Sequence, residues 1–216
     1  MLSNAGSTPP LPDALPGFSH INRYWDKYLH LPAAKILPGE FYVTTHKEVV
    51  ATVLGSCIAV CVRDKTKGIG GMNHFMLPKP KHSDDQWNDA YGLQARYGTW
   101  AMEYLINTIL KLGGMRKQLE VKVFGGANVL NSYSSVGVNN IDFILRYLKH
   151  EEIAIAAQDL GGIFPRKVLY FPDTGAAKVR KLKQMPNDTL YDRERTYQKR
   201  VDGQADSGGS VELFDD

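Results

Sequence analysis

Cysteine is scarce in this sequence, since only Cys57 and Cys61 occur among 216 residues. Small secreted domains that depend on disulfides carry many more cysteines, so this scarcity favours a reducing compartment. The first eighteen residues contain four prolines and neither lysine nor arginine, which does not fit a secretory signal. Together these features predict a cytoplasmic protein.

Long apolar runs and a strong excess of charge are missing as well. Every apolar run is much shorter than the roughly 20 residues that a membrane-spanning helix needs, so no membrane insertion is predicted. The net charge of +3 is too small to indicate a nucleic-acid-binding protein. A hydrophobic content of 43% is sufficient for one substantial core.

The most informative segment begins with Gly55-Ser56-Cys57. Residues 57–63 are mostly β-branched or small, which predicts a strand directly after a Gly-Ser turn. A polar turn follows at 64–67, and residues 68–76 form a returning strand that Pro78 terminates. A hairpin centred between positions 65 and 66 would place His74 directly opposite Cys57.

A thiol beside an imidazole can carry out nucleophilic attack on an amide or ester carbonyl. A neighbouring imidazolium would lower the pKa of the Cys57 thiol and supply a thiolate at neutral pH. A turn at Gly55 and Ser56 can also expose backbone N–H groups near Cys57, as an oxyanion hole requires. The competing interpretation of a cysteine is a small buried hydrophobe, and we assign that structural role to Cys61.

Other uses of the two cysteines fit the pattern poorly. Cys57 and Cys61 would lie about 13 Å apart on one extended strand, whereas a disulfide needs Cα atoms within about 7 Å. Two thiols and one histidine are too few for a four-ligand zinc site, so no metal is predicted. The Gly125-Gly126 pair is not followed by Gly-Lys-Ser/Thr, so it is no phosphate loop, and no cofactor is predicted.

The remaining periodicities predict an α/β fold, a layered sandwich of mixed β-sheets with helices packed on the outside. We expect a disordered extension at 1–18, a core domain at 19–183 and a solvated polar tail at 184–216. Within the core, Cys57 is expected at a sheet edge bordered by loops. The predicted helices cover 21–36, 90–112 and 140–149, and the further strands cover 41–45, 49–54, 119–124, 153–157, 167–171 and 177–182.

Five short motifs resemble the CheD family of chemoreceptor glutamine deamidases, in order and spacing, between about residues 40 and 183. They are Leu54-Gly-Ser-Cys57-Ile-Ala-Val-Cys, Gly71-Met-Asn-His74, Phe124-Gly-Gly-Ala127, Asp159-Leu-Gly-Gly162 and Thr174-Gly175. The first two together are fairly specific, whereas the Gly-Gly motifs alone are not.

This resemblance implies a cytoplasmic protein-glutamine glutaminase, an amidohydrolase of bacterial chemotaxis with a cysteine nucleophile. Such enzymes convert glutamines of methyl-accepting chemotaxis receptors to glutamates and release ammonia. The nucleophile and base of the family fall on Cys57 and His74. The resemblance also implies a CheC-type phosphatase as a partner, and the alternative role is a receptor- or phosphatase-binding regulatory module with weak or no deamidase activity.

The third catalytic residue of the family is a threonine five or six positions before the cysteine, which matches Thr52 here. On an unbroken strand Thr52 and Cys57 would point to opposite faces. Thr52 can therefore serve only if the Gly-Ser turn or a bulge resets the alternation. Otherwise another group, such as Ser56, would orient His74. The chain differs from the family at two further places. The family often has Arg-Asn where this chain has Asn139-Asn140, and it has Gly-Arg where this chain has Pro165-Arg166. Both differences are expected to affect receptor contacts only.

Overall fold

The structure, a computed structural model, describes residues 9–78, 87–129, 136–183 and 187–206. Within these ranges the chain forms ten strands and three helices. The strands are β1 (Asn22–Asp26), β2 (Leu31–Lys35), β3 (Phe41–Thr44), β4 (Val49–Leu54), β5 (Ile58–Asp64), β6 (Gly70–Phe75), β7 (Leu119–Gly125), β8 (Ile155–Leu160), β9 (Arg166–Phe171) and β10 (Ala176–Lys181). The helices are α1 (Trp87–Lys111), α2 (Val136–His150) and α3 (Asn187–Asp206).

The strands form two mixed five-stranded sheets, which confirms the predicted layered α/β fold. The first sheet has the order β1-β2-β4-β9-β10, and the second has the order β3-β6-β5-β7-β8. The β2–β4 and β7–β8 pairs are parallel, and the others are antiparallel. One hydrophobic core joins side chains of both sheets with the inner faces of α1 and α2 and with Tyr197 and Val201 of α3.

Strand β5 lies at the centre of the second sheet, so the predicted edge position of Cys57 is wrong. Apart from the partly exposed Arg63, every residue of β5 is buried. A strand covered on both faces needs apolar side chains at successive positions, and Ile58-Ala-Val-Cys-Val62 satisfies this. Cys57 comes immediately before β5, at the end of the sheet where the chain crosses over from β4.

The hairpin of β5 and β6 forms as predicted, but its register differs by two residues. His74 pairs with Ala59 rather than with Cys57. The loop is displaced because the Asp64 carboxylate accepts hydrogen bonds from the backbone N–H groups of Thr66 (2.7 Å) and Lys67 (3.0 Å), and Gly68 takes a left-handed φ of 66°. A two-residue shift preserves the face of each side chain, so His74 shares its face of the sheet with Ala59, two residues after Cys57.

The two faces of β6 serve different layers. Asn73 Nδ2 donates to the backbone carbonyl of Ala101 in α1 at 3.0 Å, so this face points toward the helices. His74 points the other way, toward the first sheet, where it meets Thr52 of β4. The site is therefore built between the two sheets.

Two segments differ from the sequence prediction. Residues 21–36, expected as a helix, form the β1–β2 hairpin, and β2 pairs in parallel with β4. The expected solvated tail contains α3, whose residues Glu194, Tyr197, Gln198 and Val201 are buried. Phe18, at the end of the expected disordered extension, is also buried and packs against Phe41 at 5.1 Å between ring centroids.

Among the described residues, no helix is long and apolar enough to cross a membrane. The polar, proline-containing sequence of residues 79–89 favours a loop. Positions 79–86 lie outside the described residues, and residues 87–89 belong to α1.

Candidate active site

The turn Gly55-Ser56-Cys57 carries the chain from the first sheet to the second, and each of its carbonyl groups has a hydrogen-bond partner. The carbonyl of Gly55 accepts from Ala127 N at 2.8 Å, and that of Cys57 accepts from Gly126 N at 2.8 Å. Asn140 of α2 supplies the third partner, because its Nδ2 donates to the Ser56 carbonyl at 2.9 Å.

The N–H groups of the same three residues converge on a different partner, the carboxylate of Glu194 in α3. Gly55 N and Ser56 N donate to it at 2.8 and 3.0 Å, and Cys57 N lies 3.5 Å from Oε1. The Ser56 hydroxyl adds a hydrogen bond of 2.7 Å. A row of N–H groups that holds two carboxylate oxygens has the geometry of an oxyanion-binding site. We call the N–H groups of residues 55–57 the amide cradle.

Glycine is required at the two ends of this arrangement. A Cβ added to Gly125, whose φ is 120°, would lie 2.1 Å from the Cys57 carbonyl oxygen. A Cβ added to Gly55 would lie 2.7 Å from Glu194 Oε1. The first glycine lets β7 support the turn, and the second leaves room for a ligand above the cradle.

Thr52 and His74 meet in the space between the sheets. Thr52 Oγ1 lies 2.8 Å from His74 Nδ1 and donates its proton to the Ile36 carbonyl at 2.9 Å. Since the hydroxyl proton is used on Ile36, Nδ1–H must donate to Thr52, which leaves Nε2 as the free acceptor. Thr52 belongs to the first sheet and His74 to the second, so their contact does not depend on alternation along one strand.

Burial governs the protonation state of the imidazole. His74 is 2% exposed, and its Nε2 has no hydrogen-bond partner among the described residues. Desolvation, followed by the positive charge of Arg193, lowers the pKa of His74 to about 3. The ring is therefore neutral at physiological pH, with a lone pair on Nε2 that can accept a proton.

The Cys57 thiol is fully buried and interacts with Glu194. Burial first, then the negative charge of Glu194 and a hydrogen bond to its carboxylate, raise the pKa of Cys57. The expected thiolate stabilised by an imidazolium is therefore absent from this state of the molecule. The thiol stays protonated beside the carboxylate of Glu194. The expected alternative in which Ser56 orients His74 is also wrong, because the Ser56 hydroxyl donates to Glu194.

Cys61 lies four residues along β5 and is buried, as its structural role predicts. Both cysteines are free thiols. Burial raises the pKa of Cys61 well above its ordinary value, so this thiol is a poor nucleophile.

Sequence reasoning missed three supporting residues: Asn140, Arg166 and Glu194. Asn140 also accepts from Leu77 N at 2.9 Å, and Arg166 donates to the carbonyls of Asp159 and Gly161. Gly161 in turn donates to the Gly125 carbonyl at 2.9 Å. The positions expected to affect receptor contacts only, 139–140 and 165–166, thus include residues that support the turn and its neighbours.

A cavity of about 210 Å³ lies between strand β6 and helix α1. Its lining includes His74 and six aromatic residues, Phe41, Phe75, Tyr97, Trp100, Tyr104 and Tyr197. Trp100 and Tyr104 are 59% and 46% exposed and stack edge to face at 4.4 Å between ring centroids. The cavity therefore opens on the α1 side of β6, whereas the imidazole itself is buried against Thr52.

Comparison with known proteins assigns the chain to a family. The family model described as CheD chemotactic sensory transduction matches residues 76–181, a range that begins just after His74. Curated relatives extend the similarity over nearly the whole chain. A protein of Halorhodospira halophila named probable chemoreceptor glutamine deamidase CheD is 51% identical over 212 residues, covering 98% of this chain and 97% of that relative.

Two further relatives give the same result. A probable chemoreceptor glutamine deamidase CheD 1 of Dechloromonas aromatica is 53% identical over 195 residues, covering 89% of this chain and 94% of the relative. A probable chemoreceptor glutamine deamidase CheD of Hahella chejuensis is 48% identical over 207 residues, covering 95% and 96% of the two chains. On this similarity, the chain belongs to the CheD family.

Proposed function

We propose that this chain is a cytoplasmic protein-glutamine deamidase that converts glutamines of methyl-accepting chemotaxis receptors to glutamates by covalent catalysis through Cys57 and His74. The names of its relatives support the reaction and the substrate. The observation that carries the mechanism is the carboxylate of Glu194 in the amide cradle, where Gly55 N and Ser56 N donate to it next to Cys57. A glutamate side chain is the product of glutamine deamidation, and its place marks where the reacting group binds.

In the first half of the reaction, His74 Nε2 takes the proton of the Cys57 thiol as the sulfur attacks Cδ of the substrate glutamine. The amide oxygen becomes an oxyanion, which the N–H groups of the cradle stabilise. His74 then gives its proton to the departing nitrogen, so ammonia leaves and a thioester remains. Thr52 keeps Nδ1 protonated throughout and thereby holds Nε2 in the acceptor role.

In the second half, His74 removes a proton from water, and the resulting hydroxide attacks the thioester carbonyl. The C–S bond breaks, glutamate is released, and the thiol regains its proton. Both steps need an imidazole that is unprotonated before it accepts the proton, and buried His74 meets this condition. Its low pKa makes it a weak base while it is buried, so the proton transfers require the site to open to substrate and water.

Receptor fragments incubated with the enzyme and analysed by mass spectrometry test this proposal. Each deamidated glutamine adds about 1 Da, because the amide NH2 is replaced by OH. We expect Cys57→Ala to lower the rate of this conversion by at least about 10³-fold. Cys61→Ala is the matched control, since it removes a buried thiol from the same strand and should retain activity. Equal rates for wild type and Cys57→Ala would remove Cys57 from the mechanism.

The second candidate function is a regulatory module that binds receptors or a CheC-type phosphatase with weak or no deamidase activity. The full burial of Cys57 favours it, because a covered nucleophile cannot reach a substrate. Wild-type protein that binds receptor fragments without any mass gain would support the module. New backbone-cleavage products in the same spectra would instead indicate a cysteine protease.

A further inference from the structure

Glu194 has the side chain that a glutamine deamidase produces, and it occupies the reacting position of the proposed enzyme. Its carboxylate accepts from Gly55 N, Ser56 N and Ser56 Oγ within 3.0 Å. The residue is 3% exposed although it belongs to a polar helix. A carboxylate is rarely buried without strong partners, and here the partners are the groups that would bind the oxyanion.

We propose that α3 is an internal, product-like ligand of the active site, and that a helix of the substrate protein binds in its place with a glutamine at the position of Glu194. The inference rests on the proposed function and specifies the substrate as a helical segment. It also makes the covered state a self-inhibited form, in which substrate must displace α3.

The buried face of α3 shows what such a helix requires. Four of its residues are buried, at positions 194, 197, 198 and 201. Counted from Glu194, the others lie three, four and seven residues later, so the four form one stripe of the helix. Gln198 Nε2 donates to the Leu77 carbonyl at 3.3 Å. A substrate helix that carries a glutamine, and apolar side chains three and seven residues after it, would present the same stripe.

Tyr197 fixes the distance between α3 and the body of the protein. Its hydroxyl lies 2.7 Å from that of Tyr97, and a Cβ added to Gly39 would meet the Tyr197 hydroxyl at 2.7 Å. The glycine, whose φ is 87°, thus allows an aromatic side chain to pass close to the backbone. Gly39 and Gly55 are two places where the lack of a side chain makes room for a helix.

The attachment of α3 has a small apolar part. Among its described side chains, residues 192–203, only Tyr197 and Val201 join the hydrophobic core, and most of the others are exposed. Elements with few buried apolar contacts open at low free-energy cost compared with global unfolding. Exchange of α3 for a substrate helix is therefore compatible with an intact core.

The decisive experiment converts the internal ligand into a substrate. In the full-length variant Glu194→Gln, we expect Cys57 to attack Cδ of the introduced glutamine, release ammonia through the thioester and restore glutamate with water. Peptide mapping should then find residue 194 about 1 Da heavier than encoded, because OH replaces NH2. Gln198, buried one turn away with its amide on the Leu77 carbonyl, should keep that amide and serves as the control within the same helix.

The double variant Cys57→Ala, Glu194→Gln should keep both amides. If the introduced glutamine stays unmodified in a folded single variant that still deamidates receptor fragments, the inference about α3 is wrong and the proposed function stands. If neither the introduced glutamine nor the receptor glutamines are converted, both fail.

A second measurement uses the accessibility of the thiol. Glu194→Ala should increase the rate at which iodoacetamide modifies Cys57 by at least about tenfold, since hydrogen bonds to a charged group are stronger than those between neutral groups. Asp192→Ala, which removes an acidic side chain from the exposed side of α3, should leave the rate at the wild-type value. Equal labelling of the two variants would show that Glu194 does not hold α3 over the site.

Discussion

The residues that we propose to react and the helix that covers them are held by different mixtures of interactions. Thr52 and His74 meet between the two sheets, and the core around them is apolar and continuous. Helix α3 adds only Tyr197 and Val201 to that core and otherwise attaches through Glu194 and a few polar contacts. The difference suggests a proposed site whose geometry is fixed by the sheets and whose access depends on a more weakly attached element.

The charge distribution follows the same division. The core side of the site offers N–H groups and a neutral imidazole to Cys57. The carboxylate comes from α3, and with burial it raises the pKa of the Cys57 thiol. Departure of α3 would therefore both uncover the sulfur and remove the charge that disfavours a thiolate.

The largest effect on the core side is expected from Asn140→Ala. Asn140 satisfies the Ser56 carbonyl and the Leu77 N–H, and both residues are buried. Each unsatisfied buried group costs about 1–3 kcal/mol, so the loss of both partners should lower the free energy of unfolding by about 2–6 kcal/mol. Chemical denaturation measures the change. Val138→Ala, on the exposed side of α2, is the control and should stay within about 0.5 kcal/mol of wild type.

An Asn140→Ala variant as stable as the Val138→Ala control would show that the turn at residues 55–57 keeps its conformation without the Asn140 hydrogen bonds. The amide cradle would then not depend on α2, and the contrast between a fixed core and a displaceable cover would lose its structural basis.

The next largest effect is expected from Thr52→Val, which keeps the shape of the side chain and removes its hydroxyl. The ring of His74 then loses its orienting acceptor, and we expect kcat for receptor deamidation to fall by about 10–100-fold, corresponding to about 1.4–2.7 kcal/mol. KM should change little, because Thr52 acts through His74. Thr52→Ser, which retains the hydroxyl, should restore most of the activity.

Thr44→Val is the matched control for this substitution. Thr44 is equally buried, but its Oγ1 accepts from His46 N at 3.0 Å, away from the site. A loss of activity in Thr44→Val as large as in Thr52→Val would assign the effect to stability instead of to His74.

Much of the core side could be predicted from the sequence because its signals are local. The β-branched run after Cys57 and the polar turn at 64–67 specify a hairpin, and the hairpin places His74 opposite Ala59. The error of two residues in register arose from the Asp64 side chain, which extends the loop. Because the error was even, the predicted face of each paired side chain was kept.

The role of Thr52 could not be decided from alternation along a single strand. Thr52 belongs to the first sheet and His74 to the second, so their contact depends on how two sheets pack. The hairpin at 21–36 was missed for a similar reason, because its second strand is stabilised by parallel pairing with β4.

The cover could not be predicted because its sequence is that of a solvated helix. Glu194 is 137 residues from Cys57, and no local pattern connects the two. The spacing of Glu194, Tyr197, Gln198 and Val201 is a helical stripe, but two of its four members are polar. Such a stripe becomes recognisable as a buried face only when the amide cradle that satisfies the carboxylate is known.

The smallest effect, and the sharpest test of the cover, is expected from Tyr197→Phe. The substitution removes only the hydroxyl that meets Tyr97 at 2.7 Å. A hydrogen bond of this kind contributes about 0.5–1.5 kcal/mol, so the rate of Cys57 labelling should rise by about 2–10-fold. Tyr97→Phe should give a similar rise, and the double variant should exceed either single variant by little, because both remove the same contact.

The free energy of global unfolding should fall by less than the labelling change implies, since α3 opens separately from the core. Labelling that rises only in proportion to global unfolding would instead make α3 an integral part of the core and remove the distinction between the two regions.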